Sequence, residues 1–381
     1  MILSIYSLVA LALALAYTAV QGAYAYAWRR LPAWQLPEGY VPCTAVTVVV
    51  PARNEAAHIG ACLTAILNGR YPAHLLEVLV VDDFSDDNTA ELVSTVQAAH
   101  PDRVRLICLS DRPDTTSGGK KQALALAIRE ARGSLIVTTD ADCLAPPDWL
   151  RHLVSLQETT RAAAVVAPVA VFHDRNLLQH FQALDMAGMM GITGAGIGLG
   201  WHHMGNGANL CYTRVAFFAV DGFAGSEAWA SGDDLFLIQK IARHYPVVFL
   251  KNNAATVYTE APAGWGAFFQ QRLRWGSKNR ALPEAGLKAA LAIVLLLCSA
   301  ILLNALGALF SPELAWVLVV QVTVKALADF MLLRTMCAFF QRPGMLRWFW
   351  PSFLLHVLYI TCAGITSLAA GRYTWKGRRL H

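Results

Sequence analysis

Four apolar runs constrain this 381-residue chain more than any other feature. Residues 2–28, 287–310, 314–333 and 348–370 each reach about the 20 or so residues that a helix needs to cross the hydrocarbon core of a bilayer. With 56% hydrophobic and only 15% charged residues, the chain departs from an ordinary soluble globule in the same direction.

The first run lacks a basic leading segment and is long for a secretory leader, so residues 1–30 are expected to form an uncleaved membrane anchor. Trp28-Arg29-Arg30 closes that run, and basic flanks favour the cytoplasmic side. The middle of the chain is therefore expected in the cytoplasm, with the helices in a bacterial inner membrane. Eight cysteines are scattered without a CxxC pair, which supports neither a disulfide framework nor a zinc site. A formal charge of +5, partly gathered at the helix flanks, fits anionic headgroups better than nucleic acid, for which no motif is present.

Between the apolar runs the pattern changes. "VTVVVPARNE", "LEVLVVDDFSDDNT", "VRLICLS" and "SLIVTTDADC" are short β-branched stretches, separated by helical segments expected near 57–67, 90–99 and 122–131. That rhythm is βαβ, so the fold class is α/β with a mostly parallel, Rossmann-like sheet. Ligands of open α/β sheets sit beyond the carboxyl ends of the strands. Three of these strands end in polar groups: Arg53-Asn54-Glu55, Asp82-Asp83 and Asp140-Ala141-Asp142. Their tips are expected to meet in one crevice.

Asp140 and Asp142 flank one residue, a spacing that lets a bent backbone turn both carboxylates to an oxygen-preferring cation, Mg²⁺ or Mn²⁺. A solvated loop start looks the same in isolation. Asp82 and Asp83 suit a nucleotide base or ribose, although "DDFSDDNT" also reads as a helix-capping turn in which Ser85, Asp86 or Asn88 caps. Gly118-Gly119-Lys120 precedes a helix and offers amides and an ammonium to an anion, without the spacing of a P-loop. Asp233 and Asp234 open an apolar-periodic helix, as simple caps or as a general base. Gln271, Arg274 and Trp275 share a helical face, which an interfacial amphipathic helix over 261–284 would also explain. "AGMMGITGAGIGLG" (187–200) indicates close backbone packing or an interfacial segment that forms an acceptor groove, with His202 and His203 as ordinary packing residues.

Taken in order, "VVVPARNE", "VVDDFSDD", "GGK", "TTDADC", "GDD" and "QRLRW" resemble a membrane glycosyltransferase of family 2 with a GT-A domain, here over 42–260. The resemblance implies a nucleoside diphosphate sugar donor, a UDP-sugar, around Pro51, Arg53, Glu55, Asp82 and Asp83, with Lys120 near the phosphates. It implies Asp140 and Asp142 as the metal-diphosphate pair, with Mg²⁺ or Mn²⁺, and Asp142 as the direct ligand. Asp234 matches the catalytic base, preceded by Asp233 where Glu is usual. Asn206, Gly207 and Asn209 fall at the acceptor entrance, and Gln271, Arg274 and Trp275 match the Q-x-x-R-W motif of cellulose, chitin and hyaluronan synthases and ceramide glucosyltransferases. The implied reaction is inverting displacement onto a hydroxyl of a membrane lipid. A processive polysaccharide synthase, a polyprenyl-phosphate sugar transferase and a non-catalytic sugar-nucleotide binder are the alternatives.

The basic tail, 372–381, loosely resembles the gating loop of cellulose synthases, which implies Trp375, Lys376 and Arg378 as donor contacts from the membrane side. A plain cytoplasmic anchor explains it equally well. Both readings put the tail with the catalytic domain, yet three full crossings over 285–371 would leave it on the far side. One segment should therefore fail to cross. The last, with Pro351, His356 and Gly364, is the first suspect, while Lys325 and Asp329 in the preceding one are spaced to pair in lipid.

Overall fold

The computed structural model of the protein describes residues 2–112, 118–172, 175–226, 229, 232–278 and 282–369, with the backbone of 373–375 and 378–380. In chain order the elements begin with α1 (Ile2–Arg30), β1 (Val46–Ala52), α2 (Ile59–Leu67), β2 (Leu76–Asp82), α3 (Thr89–Ala99), β3 (Val104–Cys108), α4 (Lys120–Glu130), β4 (Leu135–Thr138) and α5 (Trp149–Thr160). They continue with β5 (Ala164–Val166), β6 (Val169–Val171), α6 (Leu177–Leu199), β7 (Leu210–Thr213), α7 (Arg214–Ala219), α8 (Asp233–Ala242), β8 (Val247–Phe249) and β9 (Val257–Thr259). The chain ends in α9 (Trp265–Gly276), α10 (Ala285–Gly307), α11 (Pro312–Phe339), α12 (Phe349–Ala369), β10 (Tyr373–Trp375) and β11 (Arg378–Leu380).

These elements form two compact units. The α/β unit takes Pro32–Phe172 and His203–Glu260, and the helical unit takes Met1–Leu31, His173–His202 and Ala261–His381. The expected span 42–260 is thus interrupted, because α6 clusters with the apolar helices. Its glycines explain why: a Cβ on Gly191 would lie 2.8 Å from Met336 Sδ, and one on Gly196 would lie 2.1 Å from the His202 ring. Only a side-chain-free helix face admits such neighbours.

In the α/β unit, seven strands are ordered β3-β2-β1-β4-β7-β5-β8. β1 pairs in parallel with β2 and β4, β2 with β3, and β5 with β8, while β7 runs antiparallel to both of its neighbours. The sheet is therefore mostly parallel, as the strand rhythm indicated. All seven residues of β2 are buried, which is why a strand covered on both faces reads as a near-continuous apolar run. Ala52 pairs with Asp82, and Val49 with Thr138, so the chain segments that follow β1, β2 and β4 leave the sheet side by side. A small parallel pair, β6 with β9, adds Thr259 next to this edge.

In the helical unit, α1, α10 and α11 are long and apolar enough to cross a membrane, and so is the stretch Pro343–Ser367 that contains α12. Tyr6 Oη donates to Asn304 Oδ1 (2.8 Å) and Ser7 Oγ to Glu313 Oε1 (2.7 Å), while Trp28 meets Phe339 edge-on at 5.1 Å. α1 and α11 consequently run the same way, and α10 runs opposite. α12 follows the end of α11, and its own end returns to α9, where a Cβ on Gly276 would be 3.0 Å from Ser367 Cβ. β10 also lies against α9. The start of α12 packs within the bundle, with Phe349 edge-on to Phe330 at 5.2 Å and Phe353 beside Lys325. Lys325 and Asp329 pair at 2.5 Å, as their spacing foretold, and Tyr17 Oη donates to the same carboxylate.

Candidate active site

The polar residues that follow β1 and β2 are locked to one another by backbone geometry. Asn54 has a left-handed φ of +53°, which Asn tolerates better than most residues, and its Oδ1 accepts the Asp86 N–H at 2.8 Å. Arg53 Nη1 donates to the Asp83 carbonyl (2.9 Å), and the Glu55 N–H to Thr89 Oγ1 (2.8 Å). Asp87, rather than Ser85, Asp86 or Asn88, fills the capping role at α3, where it accepts from the Thr89 N–H and hydroxyl. Asp82 accepts the Ser85 N–H (3.1 Å), and Asp83 Oδ1 the Gly119 N–H (2.9 Å), so the Gly-Gly-Lys turn is drawn onto the end of β2. Pro51 sits within β1, opposite Val81.

That turn starts α4 with Lys120, whose Nζ lies 2.6 Å from Asp140 Oδ1 and 3.7 Å from Asp233 Oδ2. Burial pulls the Lys120 ammonium toward neutrality, but the charges of Asp140, Asp233 and Asp234 outweigh it and hold its pKa above the ordinary lysine value. Asp142 is pushed up to about 6, first by burial, then by the charges of Asp140 and Glu55. The donor atoms of Asp140, Asp142 and Cys143 all lie within 4.8 Å of one another. Two crowded carboxylates, one of them holding its proton too readily, are what a divalent cation relieves, and hard oxygen donors suit Mg²⁺ or Mn²⁺.

Asp233 and Asp234 open α8 and divide their partners. Asp233 turns to Lys120, with 8% of its side chain exposed. Asp234 Oδ2 accepts the Gly207 N–H at 3.0 Å, and Oδ1 accepts the Leu235 N–H at 2.7 Å. Asn206 shapes the turn that aims the Gly207 N–H, since its Oδ1 accepts from the Ala208 N–H (3.1 Å). Gly207 is needed for the close approach: a Cβ there would lie 3.2 Å from Lys120 Nζ and 3.4 Å from Asp233 Oδ2. Asn209, by contrast, is a core tie, with its amide bonded to Trp149 Nε1 and to the Pro168 and Ala255 carbonyls.

These side chains, on a mostly parallel sheet and at the carboxyl ends of its strands, match the family model described as "Glycosyltransferase like family 2" over residues 42–277. The chain belongs to that family. Among curated relatives, a probable glycosyltransferase, YdaM, of Bacillus subtilis is 26% identical over 257 residues, 66% of this chain and 59% of the relative. A beta-monoglucosyldiacylglycerol synthase of Synechocystis sp. is 29% identical over 241 residues, 62% of this chain and 48% of the relative. The chain thus spans about half to three fifths of these proteins' lengths. A solved mannosyltransferase of Pyrobaculum calidifontis, in complex with GDP-Man and Mn²⁺, superposes with a TM-score of 0.61 at 24% identity, covering 95% of this chain and 98% of its own, which shows a shared fold.

The family 2 chain brings Arg53, Glu55, Asp82, Asp83, Lys120, Asp140, Asp142, Asn206, Gly207, Asp233 and Asp234 together in its α/β unit. Gln271, Arg274 and Trp275 belong to α9 in the helical unit. The backbone of Trp375 and Arg378 forms a short antiparallel ladder there, and Lys376 lies outside the described residues. Two residues escaped the sequence reading. Lys121, next to Lys120, donates to the Ser226 and Trp229 carbonyls (2.5 and 2.7 Å) and so ties a loop to α4. Arg272, an intervening residue of the Q-x-x-R-W motif, is buried and paired with Asp185 at 2.7 Å. Its only sequence signal is a cation set among Phe268 and Trp275 at helical spacing.

Proposed function

We propose that the protein is an inverting glycosyltransferase that moves a sugar from a nucleoside diphosphate sugar to a hydroxyl of a membrane lipid. One observation carries the reading: Lys120 lies between Asp140 and Asp233, while the neighbouring Asp234 is aimed by the Gly207 amide. A diphosphate acceptor for the lysine and a base for an incoming hydroxyl are thereby adjacent. The lipid half of the proposal rests on the four membrane-length helical stretches and on the glycolipid named for one relative.

In this mechanism Asp234 takes the proton of the acceptor hydroxyl as its oxygen attacks the anomeric carbon from the face opposite the leaving group. The bond to the diphosphate oxygen breaks, and its electron pair departs with the nucleoside diphosphate. Lys120 turns from its carboxylates to that developing charge. Asp140 and Asp142 would hold Mg²⁺ or Mn²⁺, which supplies charge neutralisation to the diphosphate when bound. Asp82, Asp83 and Glu55 remain acceptors for the nucleoside.

This reading takes α1, α10 and α11 as crossings and α12 as the segment that does not cross, which returns the tail to the side on which α1 ends. Basic Arg29 and Arg30 at the end of α1 make that side cytoplasmic. The test is transfer of labelled sugar from a panel of nucleotide sugars in membranes that contain the protein with a C-terminal reporter. One labelled organic-soluble product and a cytoplasmic reporter are expected. A long insoluble polymer would replace the lipid acceptor, no transfer from any donor would remove the activity, and an external reporter would make α12 a fourth crossing.

A further inference from the structure

Two consecutive lysines open α4, and their side chains leave the helix about 100° apart. Lys120 reaches the carboxylates of the site, 2.6 Å from Asp140 Oδ1 and 3.7 Å from Asp233 Oδ2. Lys121 reaches the chain that leads into α8. Its Nζ donates to the Ser226 carbonyl (2.5 Å), the Ser226 hydroxyl oxygen (3.1 Å) and the Trp229 carbonyl (2.7 Å). The same ammonium sits 5.5 Å from the centre of the Phe236 ring. A turn presents these acceptors: the Trp229 N–H donates to the Ser226 carbonyl at 3.2 Å, and the buried Ser226 donates its hydroxyl to the Phe223 carbonyl at 2.7 Å.

Asp233 and Phe236 stand three residues apart, so they share one face of the first turn of α8. The start of α4 grips that face twice, at Asp233 through Lys120 and at Phe236 through Lys121. Two contacts on one turn fix the rotation of the helix, and rotation decides where Asp234 points, with its Oδ2 on the Gly207 N–H at 3.0 Å. The grips differ in what can break them. A diphosphate competes with Asp140 and Asp233 for Lys120, because all three are anions. Lys121 is held by carbonyl oxygens and a ring face, in charge-assisted bonds stronger than neutral ones, and these do not exchange with an anion at the strand ends. Lys240, in the last turn of α8, donates to the Gly222 and Ala224 carbonyls at 2.8 and 3.1 Å. The stretch before α8 is thus held at its start by α8 itself and nearer its end by α4.

We infer that Lys121 is a positioning residue for glycosyl transfer: it holds the first turn of α8, and with it Asp234, in place while Lys120 turns to the departing diphosphate. The inference rests on the proposed transferase activity and assigns Lys121 no contact with substrate. Without Lys121, α4 still grips α8 through Lys120 until the diphosphate draws that lysine away. The defect therefore belongs to the nucleotide-bound protein.

The test uses the full-length protein in detergent or nanodiscs and the variants Lys121→Met, Lys121→Arg and Ser226→Ala. Lys121→Met keeps the reach of the side chain and removes its charge. It is expected to lower kcat for transfer at least tenfold and to leave the donor KM within threefold, while Lys121→Arg, which can still donate to both carbonyls, stays within threefold of wild type in kcat. Ser226→Ala removes one of the three oxygens and should give a smaller loss of the same kind. Backbone amide exchange supplies a readout apart from activity. In Lys121→Met the first turn of α8 should exchange as in wild type without ligand, and at least fivefold faster than wild type with Mn²⁺ and UDP or GDP, whichever the wild type binds. Unchanged kcat in Lys121→Met would overturn the inference. So would faster exchange of equal size with and without nucleotide, or losses that track the unfolding midpoints, since both describe a tie that serves stability alone. A wild type that transfers sugar from no donor removes the transferase reading instead, and the exchange measurement, which needs nucleotide binding and no turnover, still reports on Lys121.

Discussion

The α/β unit and the helical unit treat charge in opposite ways. Around α4 and α8, Asp140, Asp142, Asp233 and Asp234 gather near one ammonium, Lys120, and Asp142 is held above the usual carboxylate range by its neighbours. In the helical unit two buried cations are each matched by a carboxylate: Lys325 with Asp329, and Arg272 with Asp185. An excess of one sign is tolerable where a charged ligand can enter, whereas apolar surroundings demand that charges be paired off. The difference separates a binding site from a scaffold without reference to any motif.

The comparison can be broken first at its catalytic end. Asp234→Asn should lower kcat by roughly a thousandfold while leaving nucleotide affinity nearly unchanged, because a base is removed and the donor's contacts are not. Steady-state transfer beside equilibrium binding of the nucleoside diphosphate decides this, and equal activity in the variant would reassign the base to Asp233.

At the scaffold end, Asp329→Asn strands Lys325, whose Nζ sits 5.0 Å from the rings of Tyr17 and Phe353. Breaking a buried pair in this way is expected to cost about 3 kcal/mol, and replacing both residues with Met and Leu should restore most of it. Unfolding midpoints in detergent for the single and double variants measure the difference. A single variant as stable as wild type would show that lipid or water reaches this pair.

The smallest effect sharpens the site itself. Because the folded-state pKa of Asp142 is raised to about 6 from 3.8, the metal-free protein loses this group's favourable protonation as pH rises from 4 through 6. A cation competes with that proton. The gain in Tm given by Mn²⁺ should thus be small at pH 5 and reach a few degrees at pH 7, and Asp142→Asn should flatten the dependence. A gain that is the same at both pH values would place the ion elsewhere.

Much of this was legible in the residues because it depends on local periodicity. The β-branched runs gave β1 to β4 and the parallel sheet, and the terminal carboxylates of those strands met as expected, since adjacent parallel strands bring their carboxyl ends together. The i, i+4 spacing of Lys325 and Asp329 foretold their pair. Asn209 stood in the same short motif as Gly207, yet its amide serves the core, because the chain's turn at Asn206 sends one residue toward Asp234 and the other toward Trp149. Arg272 stands between the named positions of its motif, and local spacing does not single it out. Its partner, Asp185, lies 87 positions earlier, and nothing in the intervening sequence marks the two as neighbours.

By itself, then, the sequence determined that the chain has membrane-length helices, an α/β domain and a row of carboxylates at strand ends, since each follows from residue types repeating over a few positions. Only the tertiary structure decided that α6 joins the apolar helices, that Asp233 and Asp234 serve different partners, and that Arg272 is caged. Those outcomes depend on contacts between segments far apart in the chain, where close packing, rather than local pattern, selects the neighbour.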